Sequence, residues 1–218
     1  MKLNETIVKR INPTIYEYIE KNVFSVYAED DSGHGLDHIF DVINRSFALL
    51  DNLGLDLDQN IVFVIASYHD IGRIMDDGKH EKRSAEMFLE DKFMEQYYSD
   101  DERKLMSEAI EDHRASIKYE PRSNYGKLVS SADRSHDLIK PLIRTYQYRL
   151  NRNSNLSLDE KIRDSYNHLQ EKFGEEGYAK NVWYDDGVYK QYLIDFRELI
   201  DDYDAFKKAY LKANEIDY

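Results

Sequence analysis

Residues 61–73, IVFVIASYHDIGR, constrain this chain more than any other stretch. The segment begins as an unbroken apolar run, which reads as a helix buried on all sides. It ends in an imidazole and a carboxylate side by side, His69-Asp70, with Gly72-Arg73 just after. A carboxylate at the end of a core segment is costly unless it is paired or holds a metal. The fold must therefore bring partners to His69 and Asp70, and the rest of the sequence can be searched for them.

The fold class follows from spacing and from scarce chain breakers. Three prolines and nine glycines in 218 residues leave room for few turns and long helices. Apolar residues recur at helical spacing at Ile7, Ile11, Ile15, Ile19 and Val23, and again at Leu36, Ile39, Phe40, Ile43, Phe47 and Leu50. Strand-like alternation is scarce. The expectation is an all-α helical bundle. Helices are expected over 3–29 (with Pro13 as a start or kink), 35–52 closed by Gly54, 57–73, 81–97 and 101–116. Another should end near Asp133, one should have Pro141 in its first turn, and two more should cover 158–173 and 188–212. The chain reads as one domain over 1–218, with a core of about 30–150 and a C-terminal helical appendage of about 151–218. Tyr184, Tyr189, Tyr192, Tyr203 and Tyr210, with Trp183, suit a half-buried cover layer there.

Thirty basic residues stand against 43 acidic ones, a net charge of −13. That balance disfavours nucleic-acid polymers and anionic membranes as partners. It leaves open a small anionic substrate in a locally positive pocket. Cysteine is absent, which excludes disulfides and thiolate zinc sites and fits a cytoplasmic protein. MKLNETIVKR lacks the apolar core of a signal peptide, and the longest apolar run is too short to span a bilayer. Self-association stays open.

Ligand-type side chains recur where helices are expected to end. His34 and His38 stand in HGLDHIFDV, His69 and Asp70 close the apolar run, and Asp133 stands in LVSSADR. Two imidazoles and two carboxylates suit a divalent ion with open positions, which lowers the pKa of a bound water. Taken singly, each of these residues is as readily a cap or a surface group.

In order and context the residues resemble a known family. His38, then His69-Asp70 in HDIGR, then Asp133 in SADR look like the H…HD…D signature of the HD-domain superfamily of metal-dependent phosphohydrolases. The resemblance covers about residues 30–150. It implies an all-α fold and a divalent ion (Mn, Fe, Co, Ni, Zn or Mg) held by His38, His69, Asp70 and Asp133. The implied activity is hydrolysis of a phosphate ester, with a nucleotide or a related small phosphorylated compound as substrate.

His80, opening HEKRSAEMF, and His113, in AIEDHRAS, stand where HDIG-type members carry further histidines. By the resemblance they ligate a second metal or contact the substrate phosphate, so one or two ions are implied. Arg73 is a candidate catalytic and phosphate-binding group, its other reading being a salt bridge to Asp76 or Asp77. His34 is a candidate for lining the pocket mouth. Many members carry Arg-Val three and four residues after the first ligand. Here Asp41-Val42 stands there, so that positive charge is missing, and Arg45 is the candidate substitute. Two alternatives remain: a six-ligand di-iron oxygenase of the same superfamily, and a non-catalytic HD domain that binds a nucleotide or a protein.

Overall fold

The computed structural model describes residues 2–28, 35–75, 78–134, 136–152 and 155–216. Among the described residues there is helix and no strand. The chain divides into two compact units, Met1–Asp133 and Arg134–Tyr218.

The first unit opens with three short helices, α1 (Glu5–Val8), α2 (Pro13–Asn22) and α3 (Phe24–Tyr27). A single helix over 3–29 is therefore not what forms. Asn12 takes a non-helical conformation, accepts hydrogen bonds from the backbone N–H groups of Thr14 and Ile15, and is followed by Pro13 in the first turn. That pair ends one helix and starts the next. The apolar register survives the break, since Ile7, Ile11, Ile15, Ile19 and Val23 are all buried.

α4 (Leu36–Leu53) is the longest helix and packs against α5 (Gln59–Tyr68) and α8 (Asn124–Ala132). Gly54 closes it in the left-handed region, at φ 61°. All but its first two residues buried, α5 is the centre of the unit. It stops at His69, and a 3-10 turn over Ile71–Ile74 replaces the continuous helix expected to residue 73. α6 (His80–Glu90) packs on that turn and on α7 (Asp100–Glu111), and α7 packs on α8. The expected helix over 81–97 ends early, at Glu90, and a short 3-10 turn follows at Met94–Gln96.

The second unit holds α9 (Lys140–Arg152), α10 (Leu158–Phe173), α11 (Val188–Asp201) and α12 (Tyr203–Ala213). The expected helix over 188–212 is split because Asp202 caps α12 and accepts from the N–H groups of Asp204 and Ala205. Its core is aromatic: Phe173, Tyr192 and Phe196 pack edge-on, as do Tyr166, Phe206 and Tyr210 with their neighbours. Tyr189, Tyr192 and Tyr210 are buried in that core rather than spread over a half-buried cover, and Trp183 is 43% exposed. No helix among the described residues is long and apolar enough to cross a membrane.

Candidate metal centre

Five helix ends of the first unit deliver six ligand-type side chains to one place. His38 lies in the first turn of α4, and His69 caps the end of α5 with Asp70 next to it. His80 opens α6, His113 follows the end of α7, and Asp133 caps the end of α8. Ends serve this purpose because the chain turns there and a side chain can leave the packed face of its helix.

The six form two groups. In the first, His38 Nε2 lies 3.2 Å from Asp133 Oδ1 and 3.4 Å from His69 Nε2. In the second, Asp70 Oδ1 lies 3.2 Å from His80 Nε2 and 3.3 Å from His113 Nε2, which are 3.3 Å from each other. Within each group the ligand atoms lie inside 4.8 Å of one another. Asp70 joins the groups, for its other oxygen, Oδ2, faces His38 at 3.5 Å and His69 at 3.7 Å.

Two of the imidazoles have fixed tautomers. His69 Nδ1 is 2.7 Å from the Ala66 carbonyl, and His113 Nδ1 is 2.7 Å from the Ile110 carbonyl. A carbonyl can only accept, so Nδ1–H donates and Nε2 is turned toward the cluster. Burial pulls the imidazolium of His69 down to about 4, opposed by the charges of Asp70 and Asp133 and reinforced by His113 and His38. His69 is therefore neutral at neutral pH, as a ligand must be. Desolvation works against the charge on Asp133, but the hydrogen bond from His38 prevails. Its carboxyl is held well below the usual range. Imidazole nitrogens facing carboxylates in a buried site fit a divalent cation.

Arg73 Nε lies 2.8 Å from Asp70 Oδ2, one turn further along. Asp76 and Asp77, its alternative partners by sequence, lie outside the described residues, as does His34. The short turn that carries Arg73 is clamped to α6, because the Gly72 N–H donates to Ser84 Oγ at 2.9 Å. Asp41 is buried on α4 and Arg45 is half-buried. Other cations of this region are engaged by acids: Arg114 with Glu81 at 3.0 Å and Arg83 with Glu86 at 3.1 Å. Lys79, Lys82 and His136 are exposed, and His168 is half-buried. Sequence reasoning missed Ser84 and Asp112. Asp112 is fully buried and bound by Arg122 and Tyr119. Its one sequence signal is its place beside His113.

Fold and site together define an all-helical protein with a buried histidine–carboxylate centre suited to divalent metal. Residues 35–138 match the family model described as HD domain, a family of metal-dependent hydrolase type. Comparison with curated proteins and with solved structures finds no match.

Proposed function

We propose that this protein is a metal-dependent phosphohydrolase acting on a phosphate ester, a nucleotide or a related small phosphorylated compound. One observation carries the reading: the Asp70 carboxylate presents one oxygen to His38 and His69 and the other to His80 and His113. A carboxylate shared between two ligand groups suits a site that holds two ions close together. His38, His69, Asp70 and Asp133 would hold one cation, and Asp70, His80 and His113 a second.

Bound there, a divalent ion would supply a Lewis acid that acidifies water and draws charge from a phosphoryl oxygen. The remaining work falls to the chain itself. Asp70 takes the proton of the attacking water, and Arg73, paired to it at 2.8 Å, holds that carboxylate in place. The guanidinium also offers N–H donors to phosphoryl oxygens as negative charge builds on them. Local positive charge of this kind is what admits an anion to a protein of net charge −13.

Purified protein stripped with chelator and reloaded with Mn, Co or Ni is expected to release phosphate from nucleotides or a generic aryl phosphate. Asp70→Ala is expected to abolish the release. Metal-dependent activity that survives Asp70→Ala removes the assigned roles. The six-residue set also favours a second reading, a di-iron oxygenase. Bound iron, with oxygen consumption and no phosphate release, would select it.

A further inference from the structure

We propose that Asp112 is a positioning residue that sets the place and tautomer of His113. The inference deepens the two-ion reading above and rests on it for its metal arm. Asp112 caps the end of α7, where its N–H donates to the Glu108 carbonyl at 3.0 Å. The next residue, His113, begins a segment that stays non-helical until α8, so its position depends on how α7 ends.

That ending is held by one fully buried carboxylate. Asp112 accepts from the backbone N–H of Arg122 at 2.7 Å, from Arg122 Nη2 at 2.7 Å and Nε at 3.1 Å, and from the Tyr119 hydroxyl at 3.0 Å. Arg122 Nη2 also donates to the Glu108 carbonyl at 3.1 Å and to Glu111 Oε2 at 2.6 Å. A cation there complements the negative end of the helix. The loop between α7 and α8 is thus tied back at residue 122 to the point where it began. The entry of α8 is seated at the same point: Ser123 caps that helix, and a Cβ built on Gly126 would lie 3.4 Å from the Asp112 Cβ.

Neither Arg122 nor Tyr119 belongs to the histidine cluster, so Asp112 acts through geometry and not on substrate. If the clamp opens, the last turn of α7 is freed. The Nδ1–H bond from His113 to the Ile110 carbonyl, made within that turn, is freed with it. His69 makes the same kind of bond to Ala66 at the end of a different helix and serves as the internal reference. Partners that orient a ligating side chain typically govern about 10–100-fold in metal affinity.

The test is proton NMR of the metal-free, full-length protein. Wild type is expected to show two protected downfield imidazole N–H signals, assigned by their loss in His69→Gln and His113→Gln. Asp112→Asn keeps the size but turns an amide donor toward Arg122. It is expected to lose the His113 signal, keep the His69 signal, and weaken binding of one of two Mn²⁺ ions about 10–100-fold. Arg122→Lys and Tyr119→Phe each remove part of the clamp and are expected to weaken the His113 signal to a lesser degree. They decide the matter should Asp112→Asn fail to fold. An unchanged His113 signal with full Mn²⁺ uptake in these variants overturns the proposal, as does equal loss of both signals. A wild-type protein that binds no Mn²⁺ sinks the metal reading, and the imidazole signals still decide the role of Asp112.

Discussion

A methyl group added at Gly72 would lie 2.6 Å from the carbonyl oxygen of His80 and 2.6 Å from the backbone nitrogen of Ser84. Neither of those backbone atoms can step aside unless α6 moves, and α6 carries His80. Gly72→Ala is therefore expected to cost about 1–3 kcal/mol by overpacking. It should also draw His80 away from Asp70, weakening Mn²⁺ uptake at that group more than at the other. Urea unfolding and a Mn²⁺ titration check the two effects separately. Ser84→Ala removes the acceptor of the buried Gly72 N–H and is expected to cost about 1–3 kcal/mol, again read from urea unfolding. His69 and Asp70 were legible in the sequence because a charged pair ends an apolar run. The need for glycine two residues later was not, since it arises from a helix packed against that turn.

Helix ends, more than helix interiors, organise this protein. Five of them carry the cluster, and the ends were also where sequence expectations and structure parted. The stripes of apolar residues identify which segments are helical, and 158–173 is recovered to the residue as α10. The breaks at Asn12-Pro13, after Tyr68 and at Asp202 depend on which side chain captures a free N–H or where packing stops the chain, and periodicity carries little of that. Asn12→Ala is expected to lower stability by about 1 kcal/mol through loss of the cap on α2, measured by chemical denaturation. On α10 of the second unit, His168 is half-buried. Its pKa is pushed below 6.5 by burial, with Lys172 and Arg149 acting in the same direction. The unfolded chain then takes up the proton first as pH falls. This contribution to stability is complete above the unfolded pKa and is lost as pH drops below it toward the lower folded value. Thermal melts are expected to show a smaller loss between about pH 7.5 and about pH 5.5 in His168→Gln than in wild type.

For the molecule as a whole, acidity and metal chemistry pull against each other. A net charge of −13 repels anions at long range, while a cation held in the buried site would attract them at short range. A ligand that binds the native state and not the unfolded chain stabilises it by mass action. Mn²⁺ at a hundredfold excess over its dissociation constant is expected to raise unfolding free energy by about 2.7 kcal/mol per site, and chelator to reverse the rise. Calorimetry with and without chelator measures this. Lowering the pH should weaken the effect, because protons compete with metal for His69.

What the sequence determined by itself is the helical class, the identity of the apolar faces, and the chemical types of the ligand set. The first two are properties of local spacing and composition, and the ligand set was legible through its resemblance to the HD-domain signature. What tertiary structure decided is that Asp70 turns its two oxygens to two different pairs of histidines, and that Asp112 meets Arg122 across a loop. Such meetings depend on how separate helices pack, and residues 33 apart, as His80 and His113 are, leave no periodic trace of their encounter.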